Sequence, residues 1–345
     1  MAFSDTALAG SDKWQNRRSD SVASMARTKH ALSDRTRSSD LTGNTYIVTG
    51  ANSGVGLETT RQLVKQGGHV VLACRRVDAG NEVAATMNGL AGSTEVLALD
   101  LASLASVRAF VEAFRAKHEQ LHGLACNAGF VNMTGDVEHT EDGLESTIGV
   151  SYFGHFLLAE LLLETLRTTP DSRMVILSSV VHAGSPKNRP QIDFHDINYK
   201  TRKFSGMNAY AEAKVATVLY ATELAARLGD SPPAVFSVHP GWARSNFGSG
   251  GSFLMNAAMT IMRPLTRFIS DSNEESAQTS LHCLISDEAP QHSGGYFSQS
   301  SVLYRDKGTK DGGWPMKSPN PNATDMDTAR RLVDLSYELV GLDKP

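Results

Sequence analysis

The chain has 345 residues, 41% of them hydrophobic, and a formal net charge of −4. That is enough apolar material for one large α/β domain or two small ones, and it leaves no basic field to hold nucleic acid. Three cysteines, Cys74, Cys126 and Cys283, stand far apart with no C-x-x-C pair. This suits neither a disulfide framework nor a zinc site and fits a reducing compartment.

Residues 1–40 are rich in Ser, Arg, Asp and Thr and carry no apolar period. They read as a disordered tail. The tail has no apolar signal region, and its five aspartates argue against a transit peptide, so a cytoplasmic location is expected. Its Ser and Arg content leaves organelle targeting as the alternative. No apolar run reaches the roughly 18 residues that a spanning helix needs. The nearest, Phe153 to Leu163, is interrupted by His155 and Glu160 and reads as a core helix.

From Leu41 onward, short apolar runs alternate with helical segments. Strands are predicted at Tyr46–Thr49, His69–Cys74, Val96–Leu99, Gly123–Cys126, Met174–Leu177 and Val235–Val238, with a helix from about Val55 to Gln66. Runs that are apolar throughout suit strands covered on both faces, and this alternation predicts a single Rossmann-type doubly wound parallel sheet with helices on both faces. The domain is read as 41–304. Residues 305–324, rich in Gly, Pro and Asn, read as an extended surface segment. A helix follows, capped by Thr324 or Asp325 and ended by Gly341.

Between the first strand and the first helix lies Thr49-Gly50-Ala51-Asn52-Ser53-Gly54-Val55-Gly56. Gly50 permits a tight turn, Gly54 lets backbone approach a pyrophosphate, and Gly56 lets helix and strand pack closely. The helix N-terminus then faces the anion. The acidic residue that binds the ribose 2′-hydroxyl in NAD enzymes is missing at the end of the second strand, where Cys74 is followed by Arg75 and Arg76. Guanidinium groups there favour a 2′-phosphate, so NADP(H) is the expected cofactor.

Tyr210 and Lys214 form Y-x-x-x-K, which on a helix puts both side chains on one face. Lys214 is expected to lower the Tyr210 pKa, making the phenol a general acid in reduction and a general base in oxidation. Ser178-Ser179 ends the strand at 174–177, where a side chain reaches the ligand crevice. His182 and His239 read as hydrogen-bonding or packing residues, and Glu212 as a solvated one.

The G-x-x-x-G-x-G loop, Asn127-Ala128-Gly129, Ser179, Tyr210-x-x-x-Lys214 and Pro240-Gly241 with Ser245 occur in an order that resembles the short-chain dehydrogenase/reductase family from Thr45 to near Phe297. The resemblance implies that Ser179 polarises the substrate, that Asp100 and Leu101 flank the adenine, and that the Asn127–Gly129 turn approaches the cofactor. It also implies that Pro240, Gly241 and Ser245 hold the nicotinamide carboxamide. Ser151 stands where the family usually has an Asn that helps hold a water linking the lysine to solvent, which puts the proton relay in question. Leu161–Glu164, Phe194-His195-Asp196, Ala277–Cys283 and Leu335–Leu342 are similar to the retinol dehydrogenase branch, and part of the framework to light-dependent protochlorophyllide reductases. A small lipophilic aldehyde, ketone or retinoid is therefore the expected substrate. A light-driven double-bond reductase and a cofactor-binding scaffold without turnover are the alternatives. Residues 246–275, with Phe253, Met255, Met259 and Met262, are expected to form a lid or to contact a second subunit or a membrane surface.

Overall fold

The computed structural model describes residues 31–241, 272–298 and 313–344. One sheet of eight strands organises them, in the order β3-β2-β1-β4-β5-β6-β7-β8. The strands are β1 Thr45–Thr49, β2 His69–Cys74, β3 Ser93–Ala98, β4 Gly123–Cys126, β5 Arg173–Leu177, β6 Ala234–His239, β7 Tyr296–Ser298 and β8 Gly313–Met316. β1 to β7 pair in parallel and β8 closes the edge antiparallel to β7. The sheet is the Rossmann-type doubly wound arrangement that the sequence implies.

Side chains leave each strand on alternate faces, and here both faces are covered. Ile47, Leu124, Met174 and Ile176 enter one apolar core. Their neighbours Val48, Ala125, Val175 and Leu177 enter the other. This explains why the strands read as unbroken apolar runs. The helices are α1 Asp34–Arg37, α2 Gly54–Lys65, α3 Val77–Ala85, α4 Leu104–Arg115, α5 Gly154–Thr168, α6 Gly206–Leu228, α7 Asn273–Ile285 and α8 Met326–Val340. A π-helical turn, Gly149–Phe153, runs directly into α5. The stretch Ser146–Thr168 is long and apolar enough to cross a membrane, but 78% of its apolar window is buried inside the protein. α4 and α5 pack on the first face, as do α6 and α8, whereas α2 and α7 pack together on the second.

The terminal helix forms where the sequence places it. Asp325 caps its start by accepting from Thr328 N at 2.8 Å, and Gly341 ends it in the left-handed region at φ 63°. Glu160 on α5 fastens it to the body. One carboxylate oxygen accepts from Tyr337 Oη at 2.6 Å, the other from Tyr220 Oη at 2.8 Å and Arg227 Nη2 at 2.6 Å.

Two boundary expectations are corrected. Residues 31–40 are not a loose tail: Leu32 and Thr36 are buried, and both Leu32 N and Arg37 Nη2 donate to Gln278 Oε1 on α7. A single apolar residue in a polar stretch has no period, so the docking leaves no pattern to read. Residues 1–30 lie outside the described residues. Nor is 305–324 a surface segment throughout. Ser318 and Asn320 are buried, and β8 extends the sheet. The chain lacking residues 1–30 sets the reference urea stability. Deleting 1–40 should lower it by about 2–3 kcal/mol, the worth of one buried leucine and its hydrogen bonds. Equal urea midpoints for the two truncations would show that the docked segment contributes nothing.

Candidate active site

The C-terminal ends of β1, β2, β4, β5 and β6 converge on one crevice, where α/β sheets of this kind take their ligands. At the end of β1, Gly50 (φ 63°) and Gly54 (φ 59°) adopt left-handed backbone that a side chain would strain. Gly56 is needed for space: a Cβ there would lie 2.4 Å from Asn127 Nδ2 and 2.6 Å from Gly50 O. Ser53 precedes α2 but makes no side-chain cap, and Ser53, Asn52 and Gly54 all reach the surface. The first N–H groups of α2 are therefore left to an external acceptor, as a bound pyrophosphate requires. Val55 points into the core. Cys74 lies under the loop with its thiol held by the backbone N–H groups of Asn52 and Ala51, and burial pushes that thiol up from its usual range. Arg75 and Arg76 follow it and are exposed. These residues fit a bound dinucleotide.

Thr49 locks the next turn to the glycine loop. Its Oγ1 accepts from Asn127 N and Ala128 N, both at 2.9 Å, while Asn127 Nδ2 donates to Thr49 O at 2.8 Å. Gly129 follows at the surface. Asp100 Oδ1 accepts from Ala102 N at 3.0 Å, which shapes the turn after β3, and Leu101 packs against Gly154 so closely that a Cβ on Gly154 would meet Leu101 O at 2.4 Å. After β6, Gly241 takes φ 93°. Ser245 and residues 246–271 lie outside the described residues. Residues 272–275 belong instead to the start of α7, where Ser272 and Glu275 form a reciprocal capping box.

Ser179, Tyr210 and Lys214 come together. Ser179 follows β5 and caps a 3₁₀ turn over Val180–Ala183, and its hydroxyl is hydrogen-bonded to Tyr210. Lys214 lies one helical turn beyond Tyr210 on α6. Its Nζ sits 5.6 Å from the Tyr210 ring centre and donates to Leu177 O at 2.8 Å. The lysine is buried, and desolvation pulls its ammonium down to about 8. Tyr210 departs from expectation. Burial pushes its phenol up to about 12, and the Ser179 hydrogen bond opposes this incompletely. Lys214 donates to a backbone carbonyl here, and desolvation is the largest influence on the phenol. Ser178 acts elsewhere. Its Oγ donates to Lys214 O at 2.9 Å and ties β5 to α6.

Ser151 sits in the π-turn, fully buried. Its Oγ accepts from Phe130 N and donates to Phe130 O, both at 3.2 Å. The hydroxyl therefore braces the chain after Gly129. Next to it, His155 Nε2 lies 2.9 Å from Thr49 Oγ1, joining α5 to the end of β1.

The loop carrying Ser179 is held from three sides, and little of this shows in the sequence. His182 Nδ1 donates to Ser179 O at 2.6 Å, and its Nε2 lies 2.9 Å from Ser318 Oγ. Asn320 Nδ2 donates to His182 O at 2.7 Å. His239 Nδ1 accepts from Val180 N at 3.3 Å. The two histidines thus serve as hydrogen-bonding residues. Glu212 is not solvated. It is buried and takes a two-pronged contact from Arg202, with Nη1–Oε1 at 2.7 Å and Nη2–Oε2 at 2.6 Å, while Tyr199 Oη donates to Oε1 at 3.1 Å. That pair staples the loop at 193–202 to the helix bearing Tyr210.

A doubly wound sheet with an open helix start under a glycine turn, and a Ser–Tyr–Lys group across the crevice, defines a dinucleotide-dependent oxidoreductase. The short chain dehydrogenase family pattern matches residues 44–189. Human retinol dehydrogenase 13 is 37% identical over 310 residues, which cover 88% of this chain and 86% of that protein. Human retinol dehydrogenase 12 is 37% identical over 304 residues, 88% of each. Among solved structures, a protein from Mycobacterium paratuberculosis has a TM-score of 0.70 at 28% identity, covering 92% of this chain and all of that one. A short chain dehydrogenase from Shigella flexneri complexed with NADP has a TM-score of 0.59 at 20% identity, covering 76% and 99%. The chain belongs to the short-chain dehydrogenase family, in its retinol dehydrogenase-like branch.

Proposed function

We propose that the protein is an NADP(H)-dependent oxidoreductase that moves a hydride to or from the carbonyl or alcohol carbon of a lipophilic, retinoid-like substrate. The observation that carries this reading is the hydrogen-bonded Ser179–Tyr210 pair with Lys214 buried beside it, at the mouth of an open helix start. A bound nicotinamide would supply or accept the hydride. Ser179 would donate to the substrate oxygen and hold it against Tyr210. Tyr210, held neutral by burial, is stocked with the proton that the oxygen takes up in reduction. Lys214 would stabilise the phenolate left behind, so the rate of reduction should fall as pH rises through about 8, where Lys214 loses its charge.

The rim of the crevice supports an apolar substrate. Phe130 and Met207 are the exposed large hydrophobic residues among those described. Phe130 follows the turn that approaches the cofactor, and Met207 lies one turn ahead of Tyr210 on α6, on the same helix face. The relatives named as retinol dehydrogenases agree with this. A dark assay with retinal and long-chain aldehydes, following NADPH loss, tests the reading. Turnover confined to illuminated pigment, or NADPH binding without turnover on the whole panel, would overturn it.

Arg75 and Arg76 are assigned to the 2′-phosphate. Replacing both with neutral residues should weaken NADPH binding by about 2–3 kcal/mol, roughly 30- to 150-fold, and leave NADH binding little changed. Equal losses for the two cofactors, measured by fluorescence titration, would remove that assignment.

A further inference from the structure

At the opposite end of the sheet from the crevice, three potential ligands face one another. His69 opens β2, Glu95 lies on the edge strand β3, and His118 follows α4. One ligand atom from each lies within 4.8 Å of the other two. His118 Nε2 is 2.8 Å from Glu95 Oε2, and His69 Nε2 is 3.8 Å from the same oxygen.

We infer that His69, Glu95 and His118 form a binding site for a divalent transition-metal ion of the zinc class, clipping the edge strand to the sheet. Zinc takes imidazole nitrogen and carboxylate oxygen at about 2.0–2.2 Å, so tetrahedral ligand atoms stand roughly 3.3 Å apart. The two separations from Glu95 Oε2, 2.8 and 3.8 Å, bracket that value, and side-chain rotations would bring all three atoms onto one ion.

The surroundings match the chemistry. His69 Nδ1 is 2.7 Å from Ser93 Oγ, the register partner of His69 on β3. The tautomer in which Nδ1 donates to that hydroxyl carries its lone pair on Nε2, the arrangement that metal-bound histidines use. His69 Nε2 is shielded from solvent and faces Glu95 Oε2 at 3.8 Å, beyond hydrogen-bond distance. A shielded lone pair without a donor costs free energy, and a cation between it and the carboxylate removes that cost. The His118 ring is packed flat on Phe114, with centroids 4.8 Å apart, so its direction is set by the core. Lys117 Nζ contacts the other carboxylate oxygen, Oε1, and so leaves Oε2 to the ion. All three side chains are partly exposed, with accessibilities of 27%, 18% and 16%, so the cluster lies close to the surface.

The site is independent of the crevice. His69 and Cys74 are the two ends of β2, so the ion would tie down the start of the strand whose far end carries Arg75. The expected effect is on stability and not on chemistry.

The test uses the full chain stripped with chelator, then titrated with Zn²⁺ alone and, separately, with Co²⁺. One equivalent should bind, Co²⁺ should show the visible absorption of a four-coordinate site, and the melting temperature should rise by several degrees. His69→Ala and His118→Ala should each lose at least ten-fold in affinity and the thermal gain, while Lys117→Ala keeps both. Glu95→Gln retains the shape of the strand and serves if an alanine variant fails to fold. No stoichiometric binding to the parent chain overturns the inference. So does binding that survives these substitutions, because the ion would then sit elsewhere.

Discussion

Tyr210→Phe should reduce turnover by about 10²–10⁴-fold while NADPH binding stays near native, because the change keeps the ring and removes the proton. Ser179→Ala removes one donor to the developing oxyanion and should cost about 2.7–4 kcal/mol in kcat. Ser178→Ala is the internal comparison. It leaves Lys214 O with the Thr217 hydroxyl, which also donates at 2.9 Å, so it should cost about 1 kcal/mol of stability and little turnover. Steady-state kinetics on an aldehyde that the parent reduces would separate the three. Near-native turnover in Tyr210→Phe would sink the assignment outright. A collapse in Ser178→Ala equal to that in Ser179→Ala would mean that the roles of the two serines are reversed.

What is legible in the sequence is local or periodic. The glycine loop is a run of eight residues whose backbone demands are written in residue type. Tyr210 and Lys214 are one helical turn apart. The strands are short apolar runs because both faces of the sheet are covered. What stays hidden depends on distant partners. Glu212 reads as an ordinary polar position on a helix, and only the fold of the 193–202 loop delivers Arg202 to it. Asn320 sits among glycines and prolines that read as surface. Its burial follows from its amide, which donates to His182 O and Pro190 O beside the Ser179 loop, and composition carries no trace of those partners. From sequence, the Tyr210 phenol is judged by its neighbour's charge alone. Its desolvation is a property of the packed crevice, and that is the larger effect. Ser151 reads as a substitution in a relay, and the structure gives its hydroxyl to the Phe130 backbone on both sides.

The same packed crevice should make the fold sensitive to mild acid. His155, His182 and His239 are all buried, and burial pulls their imidazoles down to about 3, 4 and 3. Lys214 adds its positive charge against His155, and the His182 ring opposes protonation of His239. In the unfolded chain each takes up a proton near pH 6.5; in the folded chain it does so only near 3–4. Between those limits the unfolded state binds more protons, so stability rises with pH and this contribution is complete above about 6.5. On acidification each histidine should cost about 1.4 kcal/mol per pH unit, and together the three amount to roughly 4 kcal/mol per unit. Urea midpoints taken from pH 7 to pH 5 should fall steeply. In His239→Gln, which keeps a hydrogen-bonding side chain against Val180 but cannot titrate, the fall should be shallower by about one proton. A parent chain equally stable at pH 7 and pH 5 would mean that these rings are already protonated or already hydrated in the folded state, and the bracing of the Ser179 loop through neutral His182 and His239 would have to be abandoned.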